Sequence, residues 1–259
     1  MGTDRYAYQS RLRRVSPLPK LALAAVALVV CLCCDSVWVG AATVAVMGVL
    51  ITALGGLPVR VYLHFLKVPL AFLAIGGITI LIHSYPVGTA VVAALPVGNR
   101  LWGFTGEDLY QSARLFCKAL GAVGCMYFLS LNTPITDLTM ALEKLHVPKL
   151  LVELMELIYR FIFVLAETAS NIRLAQESRL GYQGFRRSVN SLGTLSSMVF
   201  LRAWRKAQSI YTALESRGYT GSLTTLAGDY SPGLWLLPLT GVVAGGQLLV
   251  FCLERMAVR

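Results

Sequence analysis

The sequence has 259 residues, of which 56% are hydrophobic and only 14% are charged. Soluble domains average about 45–50% apolar and about 25% charged residues, so this composition argues against a soluble globular fold, a disordered chain or a coiled coil. The 23 Lys and Arg residues outweigh 13 Asp and Glu by a formal charge of +10, which we attribute to the cytoplasmic parts of an integral membrane protein, because no nucleic-acid-binding signature accompanies it.

Residues 1–20 are polar and basic, and apolar segments begin directly after them. We predict a cytoplasmic N-terminal arm here rather than a signal peptide, because the first apolar run leads straight into a second one. The transmembrane domain is predicted over 21–131 with about four spans, and a last span with its tail over 232–259. The five apolar segments are 21–34, 37–54, 69–83, 109–131 and 232–253.

The predicted transmembrane domain also contains polar features. Residues 59–69 mix cations with aliphatic residues, which favours an interfacial helix that runs into the third span. Residues 84–107 are rich in Pro, Gly and small residues, which is typical of an outer loop. Arg114 and Lys118 lie about one turn apart in the first half of the fourth span. They either extend to the outer interface or pair with a buried partner in a larger complex.

Residues 132–231 are predicted to form a cytoplasmic coupling domain. They hold 11 of the 23 Lys and Arg residues and no apolar stretch of 18 residues, so we expect none of this segment to cross the bilayer by itself. A short helix begins with Thr133 as its N-cap and ends at His146. Apolar residues at helical spacing then predict two long amphipathic helices, over 148–179 and 188–217.

Both long helices end on the same pattern, Ala-x-Glu-Ser-Arg, which Gly-Tyr follows after one leucine in the first copy and directly in the second. A single copy is explained by helix termination alone, since Arg complements the C-terminal dipole and Gly takes the left-handed stop position. Two copies indicate more, because each end projects a guanidinium group that fits a groove with a carboxylate on another protein. Two such ends imply two equivalent partner subunits. The candidate coupling residues are Ala175, Glu177, Arg179 and Gly181 in the first copy, and Ala213, Glu215, Arg217 and Gly218 in the second.

Three stretches together resemble one known family. The first lies in the N-terminal arm and consists of residues 4–10 and 12–17 with Lys20. The second lies at the start of the coupling domain and consists of Asn132, Thr133, Pro134, Asp137, Leu138 and Pro148 with residues 159–161. The third is the pair of repeated helix ends. In combination they resemble the transmembrane T component of energy-coupling factor (ECF) transporters, in particular the cobalt/nickel type called CbiQ. The first helix end departs from the family's Ala-Arg-Gly motif by inserting Leu180 between Arg179 and Gly181, a variant of the cobalt/nickel branch.

The resemblance implies an all-α integral membrane protein, with about five transmembrane helices and a cytoplasmic module of two long crossed amphipathic helices and one short helix. Members of this family are not enzymes. They transmit motion from two cytoplasmic ATPases to a separate membrane subunit that binds the substrate, in an ABC-type importer. The implied partners are two CbiO-like ATPases, which bind ATP and magnesium, and a CbiM-like subunit with or without a small CbiN-like subunit. No cofactor or metal would be bound directly by this chain.

The resemblance also assigns roles to residues. Each repeated helix end would engage one ATPase. An apolar face of the first long helix would contact the substrate-binding subunit, although packing on the protein's own spans explains any single residue of it equally well. This face consists of Leu150, Leu154, Leu157, Ile158, Phe161 and Leu165.

The sequence contains no phosphate-binding loop of the Gly-x-x-x-x-Gly-Lys-Ser/Thr type and no catalytic constellation. Its six cysteines and three histidines lack metal-ligand spacing. The alternatives are a T component that serves a vitamin importer, an intramembrane enzyme that uses His64 or His83, and a scaffold without a transport role. The distribution of Lys and Arg predicts a multi-pass plasma-membrane protein whose N-terminus and coupling domain are cytoplasmic. Cobalt or nickel as the substrate rests on the resemblance alone.

Overall fold

The computed structural model describes residues 2–81, 83–85, 93–97, 100–219 and 230–257. Nine α-helices account for most of the chain that it describes. They are α1 (Gly2–Gln9), α2 (Pro17–Cys33), α3 (Val37–Val49), α4 (Val59–Leu81), α5 (Gly106–Asn132), α6 (Ile135–Lys144), α7 (Lys149–Ser178), α8 (Phe185–Ser216) and α9 (Leu236–Ala257). The helical fold class predicted from the sequence is confirmed.

Five of these helices are apolar, and they coincide with the five predicted spans. Four are long and apolar enough to cross a membrane, namely α3 with its π-helical extension to Leu54, α4, α5 and α9. The fifth, α2, has 17 residues. At 1.5 Å per residue it is about 26 Å long, slightly less than the hydrocarbon core of about 30 Å. The chain is therefore a multi-pass membrane protein.

Two details of the transmembrane prediction change. Helix α4 is continuous, with Pro69 inside it, so the predicted interfacial helix and third span are one element. The predicted outer loop over 84–107 holds the start of α5 and most of a small antiparallel sheet, whose strands are too short to show a clear alternation in the sequence. The strands pair in the order β1-β3-β2 and are β1 (His83–Tyr85), β2 (Ala93–Val97) and β3 (Arg100–Phe104).

The transmembrane helices pack around α5, which contacts α2, α3 and α4. Its Phe128 and Leu131 are fully buried in the apolar core. A polar contact fixes the last helix to the first two: Gln247 Nε2 donates to Thr43 Oγ1 at 2.8 Å and to the Ala27 carbonyl at 3.3 Å. Side-chain hydrogen bonds of this kind hold helices together where lipid supplies no hydrophobic driving force.

The chain divides into two compact units, Met1–Asp137 with Asp229–Arg259, and Leu138–Gly228. The second unit contains α7 and α8, whose bounds lie within three residues of the predicted helices. Helix α6 begins at Ile135, later than predicted, with Asp137 N–H donating to the Pro134 carbonyl. The predicted Thr133 cap is wrong, because its hydroxyl is buried without a hydrogen-bond partner among the described residues.

Candidate coupling site

The end of α7 is closed by a pair of backbone hydrogen bonds. Gly181 N–H donates to the Gln176 carbonyl at 2.9 Å, and Leu180 N–H donates to the Glu177 carbonyl at 3.0 Å. This is the Schellman arrangement, in which the residue after the helix takes the left-handed conformation. That residue is Leu180, with φ of 59°. Arg179 is consequently the last residue before the chain turns.

Leu180 occupies the left-handed position for which the sequence predicted a glycine, and Gly181 has a different role. A Cβ atom at Gly181 would lie 2.8 Å from Ser191 Oγ and 3.0 Å from the Gln176 carbonyl oxygen. Ser191 Oγ donates to the Gly181 carbonyl at 2.7 Å. Gly181 is therefore required for the close approach of the α7 end to α8, and the inserted leucine bears the backbone strain of the left-handed turn.

The end of α8 repeats the same geometry with glycine at the left-handed position. Gly218 has φ of 73°, and its N–H donates to the Glu215 carbonyl at 3.0 Å. Tyr219 N–H donates to the Leu214 carbonyl at 3.0 Å. Arg217 thus holds the same position relative to its helix end as Arg179, so the leucine insertion does not displace the first arginine.

The side chains of the repeated motif are exposed at both ends. Ala175 and Arg179 are exposed on α7, as are Ala213 and Arg217 on α8. Among the described residues neither arginine forms an ion pair, whereas Glu177 accepts a hydrogen bond from Arg173 Nε at 2.8 Å. Each helix end therefore presents a small alanine followed, one turn later, by an unpaired guanidinium group.

The end of α7 is also braced by the start of α8. Gln176 Nε2 donates to the Ser191 carbonyl at 3.0 Å, and Tyr182 Oη donates to Gln176 Oε1 at 2.8 Å. The Arg173 guanidinium lies 5.7 Å from the centre of the Tyr182 ring. These contacts hold the α7 end and the following turn in one arrangement.

The predicted apolar face of α7 is partly solvent-exposed. Leu150, Leu154 and Ile158 are exposed, whereas Leu157, Phe161 and Leu165 are half-buried. An uninterrupted row of exposed aliphatic side chains is a surface that a partner can cover. This row remains a candidate contact for a membrane partner.

A cluster that the sequence analysis assigned no role joins two of the stretches that carry the family resemblance. Lys20 is fully buried at the start of α2, and its Nζ donates to the Leu12 carbonyl at 3.1 Å and to the Asn132 carbonyl at 3.3 Å. Ser10 Oγ donates to Asn132 Oδ1 at 2.7 Å. We call these three residues, Ser10, Lys20 and Asn132, together with Asp137, the arm cluster.

Asp137 contributes the acidic group of the arm cluster. Its Oδ1 accepts a hydrogen bond from Tyr230 Oη at 3.0 Å, while its Oδ2 is buried without a hydrogen bond among the described residues. Lys20 is near enough to interact with this carboxylate electrostatically. Burial and the hydrogen bond to Asp137 raise the pKa of Tyr230 to about 12. The cluster links the N-terminal arm to the start of α6 and to the segment before α9.

Main-chain hydrogen bonds hold the arm in the same place. Ser16 N–H donates to the Ser231 carbonyl at 3.0 Å, and Ser231 N–H donates to the Arg14 carbonyl at 2.9 Å. Arg11 N–H donates to the Gly55 carbonyl at 3.1 Å. The second half of residues 1–20 is therefore hydrogen-bonded to other parts of the first compact unit.

The two cations inside α5 have a partner within the chain. Lys118 Nζ lies 2.6 Å from Asp35 Oδ1, and Arg114 Nη2 lies 3.6 Å from Asp35 Oδ2. The hydrogen bond from Lys118, together with the charges of both cations, lowers the pKa of Asp35. Asp35 is exposed in the turn between α2 and α3. This pairing agrees with cations that extend to the interface, and it supplies them with a partner inside this chain rather than in a larger complex.

The residues of the enzyme alternative do not form a site in the described part of the chain. His64 is exposed on α4 beside the Phe65 ring, and the side chain of His83 lies outside the described residues. Within that same part, no three His, Cys, Asp or Glu side chains are grouped so that they could hold a metal ion.

Comparison with known protein families matches residues 9–226 to CbiQ, described as a cobalt transport protein. The chain belongs to the CbiQ family. It is accordingly a transport component and not an enzyme, and the resemblance drawn from the arm, the Asn-Thr-Pro stretch and the helix ends is confirmed.

Curated relatives agree with the CbiQ family match. The chain is 31% identical to the cobalt transport protein CbiQ of Rhodobacter capsulatus, over 95% of this chain and 98% of the relative. It is 29% identical to the CbiQ protein of Salmonella typhimurium, over 85% of this chain and 97% of the relative. A protein of Methanocorpusculum labreanum, whose name describes a fusion of CbiM and CbiQ, is 34% identical over 63% of this chain and 27% of that longer protein.

Proposed function

We propose that this CbiQ-family chain is the energy-coupling subunit of an ECF-type importer, in which it transmits motion from two cytoplasmic ATPases to a separate substrate-binding membrane subunit. The observation that carries the proposal is the repeated helix end. Two long helices finish in the same backbone geometry, and each presents an exposed alanine and an unpaired arginine.

Each helix end suits a mechanical contact with an ATPase. A guanidinium group forms bidentate, charge-assisted hydrogen bonds with a carboxylate, and the small alanine one turn earlier lets the partner surface approach the helix. The helices themselves are rigid over 30 and 32 residues, so movement of an ATPase groove is transferred along them. ATP and magnesium act in the partner ATPase subunits. This chain binds those subunits and moves with them.

The substrate-binding partner is proposed to be CbiM-like, with or without a CbiN-like small subunit. The relative whose name describes a CbiM–CbiQ fusion supports this, because a fusion keeps its two parts together. The exposed aliphatic row of α7, which includes Leu150, Leu154 and Ile158, offers a surface for such a partner. The names of the relatives favour cobalt as the substrate, with nickel as the related alternative.

The Lys and Arg distribution supports an orientation with the N-terminus and the α7–α8 unit in the cytoplasm. This unit and the flanking residues 132–231 carry 11 of the 23 Lys and Arg residues. Cytoplasmic segments of membrane proteins are enriched in these residues. Since the ATPases are cytoplasmic, this is also the side on which the two helix ends would meet them.

The test is charge reversal at the helix ends in the assembled transporter. Arg179→Glu and Arg217→Glu should each weaken ATPase retention, because losing one member of a buried charged pair costs about 2–5 kcal/mol. The double variant should lose both copurification of the ATPases and uptake of radiolabelled cobalt. Arg205→Glu, an exposed reversal in the middle of α8, is the matched control and should retain both activities. Normal copurification and uptake by the double variant would overturn the proposal.

A further inference from the structure

A groove runs between the last turns of α7 and the first half of α8, within the second unit. It has a cavity volume of about 390 Å³. The α7 side contributes Asn171, Ile172, Ala175, Gln176 and Arg179, and the α8 side contributes Thr194, Met198 and Arg202. We call it the Arg179 groove. Arg202 is the charged lining residue that neither the repeated motif nor the family resemblance identifies.

The lining of the Arg179 groove combines apolar side chains with two cations. Ile172, Ala175 and Met198 supply the apolar surface, and Arg179 and Arg202 supply two exposed guanidinium groups. Among the described residues that line it there is no carboxylate, and neither arginine is ion-paired. Glu167 lies one turn before Asn171 on the same face of α7, and Glu177 is hydrogen-bonded to Arg173. Two unpaired cations that line one groove favour an anionic occupant.

The end of α8 has different surroundings. The neighbouring concave surface on α8 is lined by Trp204, Ala207, Gln208, Tyr211 and Thr212, without a charged side chain in its described lining. The hydroxyl of Tyr211 is hydrogen-bonded to Glu215. Arg217 does not line this surface, whereas Arg179 shares its groove with a second arginine.

We propose that the Arg179 groove binds an acidic segment of one ATPase subunit, with two carboxylates placed to meet Arg179 and Arg202 and an apolar side chain between them. This inference rests on the proposed coupling function and extends it. It makes the two ATPase contacts of this chain chemically different: the α7 end holds its ATPase through two guanidinium groups, and the α8 end through one. Arg202 is thus a specificity-determining residue for only one of the two contacts.

The experiment compares Arg202→Gln with Arg205→Gln in the complete transporter. Both residues are exposed arginines on α8 and differ by three positions, but only Arg202 lines the groove. Native mass spectrometry of the purified complex counts the ATPase copies that remain as the salt concentration is raised. We expect Arg202→Gln to lose one ATPase copy at a lower salt concentration than the parent does, whereas Arg205→Gln should match the parent.

A second arm of the experiment separates this inference from the proposed function. In an Arg217→Glu background, which leaves only the α7 contact, Arg202→Gln should remove the remaining ATPase, but in an Arg179→Glu background it should change little further. Equal behaviour of Arg202→Gln and Arg205→Gln in every background would overturn the groove proposal. If Arg179→Glu with Arg217→Glu still retained both ATPases, the coupling function itself would fail, independently of Arg202.

Discussion

The arm cluster and the two helix ends place their charged groups in opposite situations. Lys20 and Asp137 are buried, and their hydrogen bonds are made within the chain. Arg179 and Arg217 are exposed and have no ion pair among the described residues. Buried charges whose partners are removed are costly, whereas exposed charges contribute little to stability. The first region therefore maintains the fold, and the second is available to partners.

The largest expected effect on stability is at Lys20. Lys20→Met keeps the length of the side chain but removes the Lys20 donor from the Asn132 carbonyl, while the Leu12 carbonyl keeps its hydrogen bond from Val15 N–H. A buried group left without its partner costs about 1–3 kcal/mol. The measurement is thermal unfolding in detergent, followed by a thiol-reactive dye that reports exposure of the buried Cys31, Cys34 and Cys125. The midpoint should fall markedly, while Arg179→Gln, a surface change, should stay within about 0.5 kcal/mol of the parent.

Equal thermal stability of the Lys20→Met and Arg179→Gln variants would contradict this difference between the arm cluster and the helix ends. A Lys20→Met protein as stable as Arg179→Gln would mean that the arm cluster does not support the fold. A strongly destabilised Arg179→Gln protein would mean that the helix end has a structural role, which would remove the reason to reserve it for a partner.

A smaller effect is expected from exchanging the residues at the left-handed positions. Leu180→Gly should stabilise the helix end, because the left-handed conformation costs a non-glycine residue about 1–2 kcal/mol. The larger conformational entropy of glycine in the unfolded state offsets part of this gain. Gly218→Leu should introduce the same cost at the end of α8. Hydrogen–deuterium exchange at residues 176–182 and 214–219 measures both, with slower exchange expected for Leu180→Gly and faster exchange for Gly218→Leu. Opposite signs would contradict the geometry described for these ends.

The smallest effect concerns Tyr230 and is a pH dependence. Its folded-state pKa of about 12 exceeds the ordinary value of about 10, so the neutral hydroxyl stabilises the fold fully below pH 10. That contribution should be lost as the pH rises towards 12. Thermal midpoints of the parent and of Tyr230→Phe, measured from pH 8 to 11, should converge at the upper end. A constant difference over this range would show that the Tyr230 hydroxyl makes no pH-dependent contribution.

The sequence predicted the elements well because their signals are local. Apolar runs located the five apolar helices, four of which are long enough to cross a membrane, and periodic leucines located α7 and α8 to within three residues. The repeated Ala-x-Glu-Ser-Arg pattern located both helix ends, since arginine and glycine mark termination directly. The small sheet over 83–104 was missed because its strands are three to five residues long.

The roles of Lys20, Leu180 and Arg202 could not be predicted from the sequence, because they depend on contacts between residues that are distant in the chain. Lys20 reads as one more cation of a basic arm, and only the fold brings it to Asn132, 112 residues away. Leu180 in the left-handed position reverses a local preference for glycine, because the close approach of α8 reserves the next position for Gly181. Arg202 carries no motif, and its relation to Arg179 follows from the packing of α8 against α7.

The central claim is that both arginine-bearing helix ends contact ATPase subunits. A photo-crosslinking amino acid at position 179 or 217, in the full transporter in native membranes, tests it directly. We expect crosslinks to an ATPase from both positions and none from position 205. Crosslinks from 179 and 217 to lipid or to this chain alone, with the ATPases present in the purified complex, would contradict the claim.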